Sequence, residues 1–136
     1  MPDNLFELKG VTFGYEKAVQ VLGGVDLAVP RGKVTALIGP NGCGKTTVFA
    51  LLSKIYKPCS GEIFFEGKNL SEITRKEYAR RVAAVHQYNT VPEDMTVKRL
   101  VSMGRTAYHS LMFSHATNDD LAAVERAMEE THTAEF

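Results

Sequence analysis

Tryptophan is absent from the 136-residue sequence, cysteine occurs twice, and sixteen Lys plus Arg cancel sixteen Asp plus Glu. A zero net charge removes any general electrostatic reason to bind nucleic acid or an anionic lipid surface, so no nucleic-acid partner is expected. Long apolar runs are missing too. The longest, residues 48–52, falls far short of the ~20 residues that a membrane helix needs. The opening residues hold two acids and no basic stretch followed by an apolar one, so they do not read as a secretory leader, and the cytoplasm is the expected compartment. Cys43 and Cys59 form no Cys-x-x-Cys pair and no Cys/His cluster. A zinc site is therefore unsupported, and both are expected to be free thiols. With 44% apolar and 24% charged residues, what remains is an ordinary folded chain of one domain's length.

Two β-rich runs, residues 5–8 and 11–15, flank Gly10, and a third at 25–29 precedes Pro30-Arg31-Gly32. Together they predict a small, largely antiparallel sheet. Residues 34–38, Val-Thr-Ala-Leu-Ile, read as a strand buried on both faces and expecting parallel neighbours. Over 45–56, Val48, Leu51, Leu52 and Ile55 lie at i, i+3, i+4 and i+7, a helical stripe closed by Pro58. A strand is expected at 62–66. Thr74-x-x-Glu77 has capping-box spacing and predicts a short helix towards Arg81, and 82–85 reads as the next strand. Thr96 caps an expected helix over 97–103 that Gly104 ends. Asn118-Asp119-Asp120 places acids at the start of another helix, with Leu121, Val124, Ala127 and Met128 on one face. The basic run at 75–81 and the acidic run at 119–136 read as solvated helix faces.

Gly39-Pro40-Asn41-Gly42-Cys43-Gly44-Lys45-Thr46 fits Gly-x-x-x-x-Gly-Lys-[Ser/Thr], between an apolar run and an amphipathic helix. Composition alone would produce it about once in thirty thousand windows. The residue types match the chemistry of a polyphosphate. Glycines let backbone N–H groups converge on phosphate oxygens with no Cβ in the way. The donors are the amides between Asn41 and Thr47, and the following helix aims its positive end at the same oxygens. Lys45 brings a full charge to the β- and γ-phosphates, and Thr46 a hydroxyl for Mg²⁺. The motif alone leaves GTPases, small-molecule kinases and ATP-driven machines open.

Val11-Thr12-Phe13-Gly14-Tyr15, Asp26-Leu27 before Pro30-Arg31-Gly32, the 39–47 loop, Gly61-Glu62-Ile63 with Gly67, and residues 82–87 stand in an order that resembles the ATP-binding subunit of ABC transporters. Asp94-Met95-Thr96-Val97, Leu100-Val101 and Gly104-Arg105 are similar to importers of the iron–siderophore, haem and cobalamin type. The resemblance implies an α/β fold: part of a P-loop NTPase core (34–87) with an N-terminal antiparallel β-subdomain (1–33) and the start of a helical subdomain (88–136). It implies ATP and Mg²⁺ as cofactors, with Gly39, Asn41, Gly42, Cys43, Gly44, Lys45, Thr46 and Thr47 on the phosphates. Tyr15 would stack on adenine. Gln87, with Lys45, would serve hydrolysis and, with Thr46, bind Mg²⁺. The implied partners are transmembrane permease subunits, beside residues 88–96, and a second ATP-binding subunit, at the inner face of the cell membrane.

Two departures stand out. His86 takes a position where the family often has Pro; it and His109, His115 and His132 read as structural or solvated residues. More important, the family's Leu-Ser-Gly-Gly-Gln signature, its apolar strand ending in Asp-Glu and its downstream His do not occur in the sequence. The chain thus reads as the N-terminal part of an ABC ATPase, inactive alone, whose unpaired 34–38 strand edge would favour aggregation. The rivals are a complete small P-loop kinase or GTPase, although no Asn-Lys-x-Asp guanine reader occurs, and a non-catalytic nucleotide-binding remnant.

Overall fold

The computed structural model describes residues 3–16, 19–87, 90–109 and 116–134. It divides into two compact units, Met1–Tyr78 and Ala79–Phe136. Residues 88 and 89 of the expected loop, and His115, lie outside the described residues.

The first unit is built on a four-stranded antiparallel sheet of order β2-β1-β3-β4: β1 is Asn4–Phe13, β2 Leu22–Pro30, β3 Ser60–Phe65 and β4 Lys68–Asn69. The two runs flanking Gly10 are one strand, not two. Its buried residues are Phe6 and Leu8, then Val11 and Phe13, so the alternation changes phase between them. A bulge produces the change. Leu8 and Val11 oppose Leu27 and Val25 on β2, while Lys9 and Thr12 oppose Glu62 and Ser60 on β3, so β1 carries one extra residue against both neighbours. Gly10, at φ +57°, is the residue that allows it, and its N–H donates to Asp26 Oδ1 at 2.7 Å. Opposite it, a Cβ on Gly61 would lie 2.4 Å from the Gly10 carbonyl oxygen, so the bulge demands glycine on both strands. The β3–β4 turn falls at Gly67, where the resemblance implies a strand pair. Glu66 (φ +52°) and Gly67 (φ +79°) both sit in the left-handed region, as a two-residue hairpin loop requires.

Helix α1, Lys45–Leu52, stops four residues short of the predicted end. Lys54 turns left-handed (φ +58°), its N–H donates to Leu51 O, and the Ile55 N–H donates to Ala50 O, both at 3.0 Å. This is a Schellman ending with lysine in the place usually held by glycine. Ile55 is thereby thrown off the buried stripe, which keeps Thr47, Val48 and Leu51. The Lys54 ammonium compensates for the unusual backbone by donating to Leu70 O (2.7 Å) and Ile73 O. Partial burial there, reinforced by Arg75 and Lys57, holds its pKa below the ordinary lysine value. Removing the fully buried Leu51 side chain would cost about 2–5 kcal/mol.

A short 3-10 turn, Leu70–Glu72, follows β4, capped by the Asn69 side chain, which accepts from the Ser71 N–H. Helix α2 is then Arg75–Ala79, and Thr74 Oγ1 accepts from the Glu77 N–H at 3.2 Å as the spacing predicts. Tyr78 packs edge-on against Phe65, ring centroids 5.2 Å apart, and its hydroxyl donates to Leu52 O.

Two sequence expectations fail. Residues 34–38 and 82–85 form no strand, and Val34, Ile38 and Val85 are 102%, 89% and 94% exposed. A segment apolar on both sides becomes a strand only inside a sheet that hydrogen-bonds it at its edges and covers both its faces. Among the described residues no strand pairs with either segment.

In the second unit, α3 (Val97–Met103) and α4 (Asn118–Glu130) pack together. The α3 bounds are those predicted, with Thr96 Oγ1 accepting from the Arg99 N–H. At α4 the cap is Thr117, one residue ahead of the predicted acidic start, in a reciprocal box with Asp120. Val124 and Met128 are buried as expected, whereas Leu121 is exposed. Asp120 accepts from the Thr117 hydroxyl (2.7 Å), the Thr117 N–H (3.0 Å) and Arg105 Nε (2.9 Å), with His109 Nδ1 3.8 Å away. These donors, Thr117 first, hold its carboxyl well below the usual carboxylate range. Tyr108 lies under two guanidinium groups, Arg105 at 3.7 Å and Arg80 at 5.2 Å from the ring centroid.

Tyr78 and Asp120 tie stability to pH with opposite signs. Burial pushes the Tyr78 phenol up to about 12, so its contribution is complete below the ordinary value of 10.0 and is lost as the pH rises through 12. Tyr78→Phe should delete the latest phenolate step in an ultraviolet titration and destabilise the chain by about 0.5–1.5 kcal/mol at neutral pH, measured by denaturant unfolding. Asp120 acts in the acid limb: its lowered pKa stabilises above the ordinary carboxyl range and fails as the pH drops below about 4. Asp120→Asn should lower thermal stability at neutral pH and flatten the acid-induced loss of helical circular dichroism.

Candidate phosphate-binding site

The site grows from the start of α1. Residues 34–40 run without regular structure into a turn over 41–44, in which Gly42 (φ +80°) and Gly44 (φ +94°) are left-handed. Gly44 is the N-cap of α1, and no side chain caps that end. The Val48 N–H is taken by Gly44 O at 2.9 Å, and the amides of 45–47, ahead of it in the first turn, have no intrahelical acceptor. Three N–H groups and the positive end of the helix thus converge on one place, which suits an anion. At φ +94° Gly44 takes a conformation that residues with side chains rarely adopt, and the Leu22 side chain lies against it.

Lys45 folds over the loop. Its ammonium donates to Gly39 O (2.7 Å) and Pro40 O (2.6 Å) and lies 3.6 Å from Cys43 Sγ. Those carbonyls hold a full positive charge above the turn, where exchange for phosphate oxygens needs only side-chain rotation. Asn41, Gly42, Cys43 and Thr46 are exposed around it, whereas Thr47 is buried.

Tyr15 is brought to this end of α1 by the turn that follows β1. Val21 N–H donates to Phe13 O at 2.7 Å, and Glu16 and Val19 form an isolated bridge. Gly14 makes the turn possible, since a Cβ there would lie 2.3 Å from Val19 O. The Tyr15 hydroxyl and Thr47 Oγ1 are hydrogen-bonded at 3.1 Å, and the ring is 56% exposed. Two further aromatics touch it. Phe13 stands perpendicular at 5.1 Å, Tyr56 perpendicular at 5.5 Å, and Phe13 and Tyr56 meet at 5.4 Å. Sequence reading assigned no role at the site to Phe13, Tyr56 or Leu22. The Phe13-x-Tyr15 alternation put two rings on one face, but only the early end of α1 carries Tyr56 to them.

The structure therefore brings Tyr15, Gly39, Gly44, Lys45 and Thr47 into one constellation on the first unit. Gln87 belongs to the second unit, exposed at a bend after residues 82–86. Among the described residues, no cluster of three or more His, Cys, Asp or Glu could cage a metal ion, and no helix is long and apolar enough to cross a membrane.

The family model described as ABC transporter matches residues 22–136. The chain is 37% identical over 133 residues to the ferric enterobactin transport ATP-binding protein of Escherichia coli (strain K12), covering 96% of this chain and 48% of that one. It is 35% identical over 130 residues to the iron(3+)-hydroxamate import ATP-binding protein of Bacillus subtilis (strain 168), covering 96% and 47%. The chain spans about half the length of the curated relatives it matches. Among solved structures, a bacterial Atm1-family ABC exporter with ATP bound superimposes with a TM-score of 0.71 at 23% identity, over 98% of this chain and 23% of that one. The cbiO1 protein of Clostridium perfringens, part of the cbiONQ transporter complex, gives 0.67 at 23% identity over 98% and 53%. The fold is that of part of an ABC-type P-loop NTPase domain, and the chain belongs to the ABC transporter family.

Proposed function

We propose that this chain carries the triphosphate-binding part of an ATP-binding subunit that couples ATP binding and hydrolysis to import of an iron chelate through membrane permease subunits. One observation carries the reading: an uncapped helix start behind a left-handed Gly44, with the Lys45 ammonium held over the loop by two carbonyls. The amides of 45–47 bind the β- and γ-phosphate oxygens, and Lys45 exchanges its carbonyl partners for them. Tyr15 offers an exposed aromatic ring to adenine beside the same helix end.

Mg²⁺ takes few protein ligands and otherwise coordinates phosphate oxygens and water, so the exposed Thr46 hydroxyl fits it without a carboxylate cage. Thr46 would hold it, Gln87 is assigned to it by the family resemblance alone, and its chemistry there is neutralisation of phosphate charge. Gln87 also positions the attacking water through its neutral amide. The cargo reading is supported by the likeness to a ferric enterobactin transport ATP-binding protein and an iron(3+)-hydroxamate import ATP-binding protein. A second ATP-binding subunit completes the hydrolytic site, and the assembly sits peripherally on the inner face of the cell membrane.

Lys45→Ala should weaken MgATP binding about 100-fold or more in isothermal titration calorimetry while circular dichroism stays unchanged. Unaltered affinity would remove the central charge from the proposal. Cys43, exposed beside Lys45, should be alkylated by maleimide in the free protein, blocking ATP binding, and MgATP should protect it. Equal labelling with and without nucleotide would place the triphosphate elsewhere.

A further inference from the structure

Tyr56 has no part in the phosphate chemistry, yet the fold spends an unusual backbone to place it. Because Lys54 is left-handed, the N–H groups of Ile55 and Tyr56 both turn back to Ala50 O, at 3.0 and 3.4 Å. The backbone of Tyr56 is thus fixed to the end of α1 rather than left in the loop that leads to Pro58. Its ring remains 43% exposed and is engaged on its inner side, perpendicular to Tyr15 at 5.5 Å and tilted against buried Phe13 at 5.4 Å.

Tyr15 is consequently held at three points. Phe13 and Tyr56 contact its ring, and Thr47 takes its hydroxyl. An exposed aromatic would otherwise lose rotamer freedom each time a base stacked on it, and binding would be weakened by that loss. Restricting the ring beforehand leaves more of the stacking energy as affinity.

We propose that Tyr56 is a positioning residue for nucleobase affinity: it fixes the attitude of Tyr15 from the C-terminal end of α1, while Thr47 fixes it from the N-terminal end. Base and phosphate subsites are then both aligned on a single helix. The inference rests on the nucleotide reading above and deepens it, since it assigns the base-binding energy to a three-ring cluster rather than to Tyr15 alone.

Its test compares two ligands on the purified full-length protein by isothermal titration calorimetry: MgATP, and magnesium tripolyphosphate, which has the phosphates and no base. Tyr56→Leu should weaken MgATP about three- to tenfold and leave tripolyphosphate unchanged, while Tyr56→Phe, which keeps the ring, should match the wild type for both. Tyr56→Met serves as the non-aromatic variant if the leucine protein does not fold. Equal losses for both ligands would show a merely structural role and overturn the proposal. So would an unchanged MgATP affinity, or a phenylalanine variant as weak as the leucine one. A wild-type protein that binds neither ligand overturns the nucleotide reading itself, a result distinct from the other three.

Discussion

Gly44 enters α1 at φ +94°, a backbone conformation that any side chain would strain, with Leu22 packed beside it. That steric constraint sets the entry of α1, because a residue without a side chain can take the left-handed turn, lie against the first residue of β2 and leave the helix uncapped. A serine or aspartate at the same place would supply a cap and about 1 kcal/mol of helix stability, but would occupy the donors that an anion needs. The site is therefore bought with local stability, and the sheet that contributes Leu22 is as much a part of it as the loop.

The lysines at the two ends of α1 show how one residue type serves different physics. Lys45 is tied to two carbonyls that lie at the surface and are exchangeable. Lys54 is tied to two carbonyls in a part-buried setting, where desolvation depresses its pKa and its left-handed backbone terminates the helix. The first is placed to change partners and the second to keep them.

Legibility in the sequence followed the range of the forces involved. Helix α3 and the start of α4 were readable because a cap, an apolar stripe and a terminating glycine act within a few residues. The glycine loop was readable for the same reason. The end of α1 was not, since Lys54 is held left-handed by carbonyls sixteen and nineteen positions away. Residues 34–38 and 82–85 carried a genuine strand pattern, but a two-faced strand is a property of its neighbours, and these are not among the described residues. Tyr15 could be named from the sequence, whereas the rings that steady it could not, because Tyr56 reaches it across more than forty positions.

The extra residue in β1 has a consequence for how this segment tolerates change. Phe13 ends β1, with Tyr15 in the turn just beyond it, and the insertion at Gly10 decides which side of the strand Phe13 takes. Residues ahead of it are free to drift in chemistry so long as their alternation survives, but not in number: dropping one would leave the early half of the sheet intact and swing the aromatic pair away from the helix. Spacing, rather than composition, decides where the aromatic pair stands.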